Sequence, residues 1–208
     1  FAHAKRMWEE KLTADDLVNG PYLEKSHIYQ EGAALGELPL HEKTKSTIRK
    51  RLGGRGLLKH QTDALQLILS GWNSVIATGT SSGKTLCYQI PILDDLVCDP
   101  SAGLRAVIIY PLNALVNDQL TEWEQMLVDH PQIRFARFTG QTPNTQNDYV
   151  ETLRVTLREE LSDQGLTQQE LQHKVEQRLA ERFRADTPNR LNHREAILSN
   201  PPQVLITN

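Results

Sequence analysis

The sequence predicts an α/β fold, a doubly wound and mostly parallel sheet with helices on both faces. Three observations predict it. Short strand candidates at 74–77, 106–110, 134–138 and 204–207, most of them apolar runs, alternate with stretches of helical spacing, as a parallel sheet covered on both faces requires. The first run passes through a string of small residues into Gly83-Lys84-Thr85 and then a helix. The 208 residues, 38% apolar and 24% charged, suffice for a sizeable core.

Taken in order, residues 1–55 read as an irregular, partly helical N-terminal extension. Thr13-Ala14-Asp15-Asp16 can cap a short helix, Gly20-Pro21 breaks the chain, and 32–39 reads as loop. Residues 43–52 are basic and of helical character, ending at Gly53-Gly54; the cations from Lys43 to Lys59 either guide a polyanion or form a solvated face. Ala64, Leu65, Ile68 and Leu69 mark a helix over 60–69 that Gly71 ends. A strand at 74–77, a helix near 84–97, a strand at 106–110, a helix from after Pro111 to about 128 and a strand at 134–138 follow. Val150, Leu153, Leu157 and Leu161 then form one stripe, and Leu171, Val175, Leu179 and Phe183 a second, opened by the capping box Thr167 to Glu170. With Gly165 between them, the stripes predict an antiparallel helical hairpin over about 147–184, inserted before the last strand at 204–207.

Net charge is −3, so any nucleic-acid partner must be attracted by a local surface. No apolar run approaches the ~18 residues of a membrane span and no signal peptide opens the chain, which points to a cytoplasmic protein with no membrane partner. Cys87 and Cys98 lie in or beside one helix and are expected as reduced thiols. The seven histidines show no zinc spacing. Phe1 at one end and Asn208 directly after a strand at the other read as the ends of a piece of something longer.

The segment Ala77-Thr78-Gly79-Thr80-Ser81-Ser82-Gly83-Lys84-Thr85 has the composition of a phosphate-binding loop. Small residues let the backbone curl until its N–H groups converge on phosphate oxygens, and the following helix adds its N-terminal donors. Lys84 would carry a point charge to the β- and γ-phosphates and the Thr85 hydroxyl would ligate Mg²⁺. Thr78 stands where the strict signature has glycine.

The neighbouring segments carry a resemblance. Leu57-Leu58-Lys59-His60-Gln61, the loop, Pro111-Leu112-Asn113-Ala114-Leu115-Val116-Asn117-Asp118-Gln119, Phe138-Thr139-Gly140 and Val204-Leu205-Ile206-Thr207-Asn208 succeed one another in an order that resembles the first RecA-like domain of superfamily 2 helicases of the DEAD/DEAH type. The spelling around Leu86-Cys87-Tyr88, with Gly20-Pro21-Tyr22-Leu23 upstream, is similar to the large DNA helicases of phage-defence systems such as DISARM and Druantia and to related repair helicases.

The resemblance implies a P-loop NTPase over 56–208, stopping before the Asp-Glu box of motif II, and ATP with Mg²⁺ as cofactors. It makes Gln61 the reader of adenine, Thr78, Gly79, Thr80, Ser81, Ser82, Gly83, Lys84 and Thr85 the nucleotide loop, and Lys84 and Thr85 its catalytic pair. It places nucleic acid, with DNA favoured as single strand or duplex, at Leu112, Asn113, Thr139, Gly140 and Thr207. Leu58 stands where relatives often have an aromatic that stacks on the base. The implied function is the ATP-binding part of a helicase or translocase in anti-phage defence, working with a second RecA-like domain of the same chain and a defence-system partner, and hardly active alone. An ATP-binding scaffold or switch without unwinding activity stays open beside it, as does the assignment of Asn113 and Asn117 to plain helix solvation.

Overall fold

The computed structural model describes residues 30–79, 82–101, 103–185 and 189–208. The cap expected at 13–16 and the break at 20–21 lie outside them. The chain divides into two compact units, Phe1–Cys98 and Asp99–Asn208.

In the first unit, helices α1 (Glu42–Leu52) and α2 (Lys59–Leu69) each pack against α3 (Thr85–Cys98). α1 ends where its sequence says it should, with Gly53 in the left-handed region at φ 58°. At its start the His41 imidazole accepts from the Lys43 N–H at 3.1 Å, while the His41 N–H donates to the buried Asp94 carboxylate of α3 at 2.8 Å. Lys45, in the basic stretch, is buried; its ammonium donates to the Gly36 carbonyl at 3.1 Å and pairs with Glu42. That cation therefore serves packing. α3 carries Pro91 in its interior, where a lost N–H ordinarily costs about 3 kcal/mol, and the buried face of Cys87, Ile90, Leu93 and Leu96 offsets it. Residues 30–32 run against 57–59: the Gly32 N–H donates to the Leu57 carbonyl at 2.8 Å. A Cβ on Gly32 would meet the Thr62 side chain at 2.6 Å, so this approach requires glycine.

The second unit is built on a four-stranded parallel sheet in the order β1-β4-β2-β3, with β1 (Ala106–Ile109), β2 (Phe135–Phe138), β3 (Arg190–Leu191) and β4 (Val204–Thr207). β4 pairs on both sides: Val204 lies opposite both Ala106 and Phe135, and Thr207 opposite both Ile109 and Phe138. Helix α4 (Asn113–Leu127) covers β2 and β4 and buries Val116, Leu120, Trp123, Met126 and Leu127. Two buried amides seal the strand entrances. Gln203 accepts from the Arg134 N–H at 2.8 Å and Asn189 donates to the Ile133 carbonyl at 2.7 Å, which satisfies backbone groups that the ladder leaves open.

Between β2 and β3 rises the expected hairpin, α5 (Gln146–Leu161) and α6 (Gln168–Ala185). Leu157, Leu161, Val175 and Leu179 are its buried core, with Val150, Leu153 and Leu171 packed against them. Tyr149 and Phe183 close one end edge to face, centroids 6.2 Å apart. A short 3₁₀ turn at Ser162–Gln164 ends at Gly165, φ 65°. The predicted box holds, Thr167 N–H donating to Glu170 at 2.9 Å. A second box at Thr145 and Asp148, not foreseen, starts α5. Arg154 of α5 reaches Glu176 of α6 at 2.9 Å. A short helix α7 (Arg194–Ser199) and the two-residue β3 also escaped the sequence reading, being too short to show a period.

One expectation fails. Residues 72–79 have no regular structure, and 74–77 pair with no strand among the described residues. A strand exists through its ladder, and among the described residues the four-stranded sheet lies in the second unit; Val75 is 65% exposed. Both cysteines are free thiols, Cys87 buried and Cys98 exposed, and burial pushes the Cys87 thiol up to about 11. No described helix is long and apolar enough to cross a membrane.

Phe135 is fully buried where β2, β3 and β4 share register. Phe135→Ala is expected to lower the unfolding free energy by about 3–5 kcal/mol in urea titration.

Candidate nucleotide loop and nucleic-acid edge

The loop is held from below by α2. Gln61 is buried and uses both ends of its amide: Oε1 accepts from the Leu58 N–H at 2.8 Å, half of a capping box, and Nε2 donates to the Gly83 carbonyl at 3.0 Å. The adjacent His60 is also buried and faces the Ser82 backbone carbonyl. Burial holds its imidazole pKa below the usual range, against the opposing pull of the Ser82 backbone and with the help of the Lys84 charge. Gly83 takes φ 75°, and a Cβ there would stand 2.6 Å from Gln61 Nε2. Its glycine is thus required twice, by backbone conformation and by its neighbour. Gln61, expected to read adenine, meets the loop itself in this structure.

Across the loop the hydroxyls of Thr78 and the buried Ser82 lie 2.5 Å apart. Thr78, at the mismatched position, thereby helps to close the curl. The Lys84 ammonium folds back onto three oxygens, the carbonyls of Thr78 at 2.9 Å and Gly79 at 2.5 Å and the Ser82 hydroxyl at 3.5 Å. Thr85 is the first residue of α3, half-buried, and its hydroxyl has no protein partner among the described residues. Thr80 and Ser81 lie outside the described residues. No cluster of three or more His, Cys, Asp or Glu that could hold a metal occurs among the described residues.

In the second unit, parallel pairing brings the other predicted residues to one edge. Leu112 comes after β1, is the N-cap of α4 and is 61% exposed; Asn113 opens α4, its Oδ1 buried without a partner among the described residues. The Tyr110 N–H donates to the Thr207 carbonyl at 2.9 Å, carrying the β1–β4 pairing to this edge. The Thr207 hydroxyl donates to the Phe138 carbonyl at 2.6 Å, so it braces β4 against β2. Thr139 is buried, its N–H donating to Thr142 Oγ1 at 2.9 Å and its hydroxyl accepting from Gln141 N–H at 3.2 Å. Gly140 is exposed. Asn117 accepts from Arg137 at 2.6 Å, and burial lowers the pKa of that guanidinium.

The sequence reading thus placed Gln61, Thr78, Gly79, Ser82, Gly83, Lys84 and Thr85 about one loop, and Leu112, Asn113, Thr139, Gly140 and Thr207 along one sheet edge. It missed His60, which stands beside Gln61 but whose burial against Ser82 has no signature in the sequence.

A family model described as DEAD/DEAH box helicase matches residues 58–176, more than half of the chain. The chain belongs to this family. It is 35% identical over 156 residues to Druantia protein DruE of Escherichia coli (strain UMEA 4076-1), covering 62% of this chain and 8% of that protein. It is 39% identical over 88 residues to ATP-dependent helicase hrq1 of Schizosaccharomyces pombe, covering 41% and 8%. To ATP-dependent DNA helicase Hel308 of Thermococcus kodakarensis it is 36% identical over 110 residues, covering 52% and 9%. The chain therefore spans less than a tenth of these relatives' length. The crystal structure of DUF1998 helicase MrfA bound to DNA and AMPPNP shares the fold at a TM-score of 0.50 and 23% identity, over 86% of this chain and 18% of that one.

Gly83→Ala is expected to displace Gln61 and to cost about 1–2 kcal/mol for the left-handed backbone alone. Faster amide exchange at the start of α2 and at the loop, set against the unsubstituted chain, measures it.

Proposed function

We propose that this chain is the ATP-binding part of an ATP-dependent DNA helicase or translocase. Residues 56–208 would form its first RecA-like domain and residues 1–55 an extension to it. The observation that most supports the reading is the Lys84 ammonium, which among the described residues is held at the head of α3 by neutral loop oxygens. Phosphate oxygens are charged and accept more strongly, so they displace those carbonyls. Gln61 beneath Gly83 and Thr78 across from Ser82 hold the described part of the loop, and a curled loop of small residues suits backbone donors converging on an anion.

The Thr85 hydroxyl fits Mg²⁺, which when bound neutralises phosphate charge. Phosphoryl transfer to water depends on positioning and charge neutralisation rather than covalent catalysis, which matches a loop that offers a cation and N–H groups but no nucleophile. A second RecA-like domain of the same polypeptide completes the site in this reading. The exposed Leu112 and Gly140 at the carboxyl edge of the sheet meet a nucleic-acid backbone, a contact that tracks a strand without reading its sequence. DNA is supported by the names of Hel308 and of the DNA-bound MrfA, and a place in anti-phage defence by the likeness to a Druantia protein.

ATP turnover by the full-length protein, with and without single-stranded DNA, tests this. DNA is expected to stimulate turnover, and Lys84→Ala to remove about 3 kcal/mol of transition-state stabilisation, roughly a hundredfold in rate. Nucleotide binding without turnover under either condition would favour a scaffold or switch instead.

A further inference from the structure

The turn after β2 has an internal logic that the family resemblance does not contain. Three N–H groups lie in the four residues from Thr139 to Thr142 besides that of Gly140, and each is used inside the turn. Thr139 N–H donates to Thr142 Oγ1 at 2.9 Å, Gln141 N–H to Thr139 Oγ1 at 3.2 Å, and Thr142 N–H to the Thr139 carbonyl at 3.1 Å. Thr142 Oγ1 in turn donates to the Arg137 carbonyl at 3.1 Å. The N–H of the exposed Gly140 is left as the turn's one uncommitted backbone donor among the described residues.

The brace that holds the turn in this shape comes from across the insertion. Arg194, the first residue of α7, donates from Nη2 to the Thr139 carbonyl at 2.9 Å and from Nε to the Thr142 carbonyl at 3.1 Å. Its backbone N–H donates to the Pro143 carbonyl at 2.8 Å, and its guanidinium lies over the Phe138 ring, 5.1 Å from the centroid. One planar fork thus spans the two carbonyls that bound the turn, and a ring fixes the plane of the fork. An ammonium has neither the second fixed donor nor the flat face. The whole hairpin α5–α6 lies between Thr142 and Arg194 in sequence, so this contact also closes the base of the insertion.

We propose that Arg194 is a positioning residue: by clamping the Thr139 and Thr142 carbonyls it presents the Gly140 N–H to a nucleic-acid phosphate. This rests on the reading above that the turn after β2 meets a nucleic-acid backbone. Arg194 acts through the turn: its Nε and Nη2 donors are engaged on the two carbonyls that bound it.

The test titrates a single-stranded oligonucleotide into the ATPase assay of the full-length protein and separates the half-saturating concentration from the plateau rate. Arg194→Ala and Arg194→Lys are both expected to raise half-saturation about tenfold, the worth of one charge-assisted hydrogen bond, with plateau rates within about twofold. Arg194→Lys keeps the charge and much of the stem, so it guards against a fold defect in the alanine variant. Wild-type half-saturation in Arg194→Lys would overturn the clamp in favour of simple charge attraction. Gly140→Pro removes the donor itself. A raised half-saturation in Gly140→Pro with none in Arg194→Ala would overturn the role of Arg194 alone. An unchanged Gly140→Pro would overturn the reading of the turn as a contact, and this inference with it.

Discussion

The second unit depends on the double pairing of β4. Because Val204 to Thr207 run parallel to both β1 and β2 in one register, the three strands end level, and the segments leaving their carboxyl ends emerge at one edge. A parallel sheet has to return each chain end across a face, and the buried side of α4 is what makes that return favourable. The tie from Thr207 Oγ1 to the Phe138 carbonyl, and that from Tyr110 N–H to the Thr207 carbonyl, extend the alignment past the last ladder bond. Leu112, Gly140 and Thr207 therefore share an edge although nearly a hundred residues separate the first from the last.

In the first unit the governing constraint is different. A loop of small residues has little packing of its own, so its shape must be imposed by something rigid. The N-terminal turn of α2 does this with two consecutive buried side chains, His60 toward Ser82 and Gln61 toward Gly83, while α3 fixes the other side. Gln61 couples the two, since the same amide caps its own helix and holds the loop. A side chain whose polar atoms are already paired resists being turned elsewhere, which makes the geometry at Gly83 depend on helix α2 remaining capped.

The insertion shows how a long addition can leave a fold undisturbed. α5 and α6 bury their stripes against each other rather than against the sheet, forming a cluster of their own. The chain returns beside the point where it left: Arg194 and Glu195 donate their N–H groups to the Pro143 and Asn144 carbonyls at 2.8 and 3.0 Å. A loop closed so tightly at its base imposes little strain on the strands that flank it.

Local signals determined the longer helices, the hairpin and three of the four described strands: apolar spacing, caps at Thr167 and Gly53, and unbroken runs such as Ala106 to Ile109. The place of the loop was equally legible, since Gly83-Lys84-Thr85 follows a string of small residues and leads into the helix the structure shows. Tertiary structure decided what composition cannot encode. It decided that 74–77 pair with no described strand, because a strand is made by its neighbours. It decided that Lys45 is buried rather than part of a basic surface, and that Gln61 holds a carbonyl of the loop. Above all it brought Arg194 to Thr139 and Thr142 across more than fifty residues, a meeting set by where the insertion closes and by nothing in the sequence around either partner.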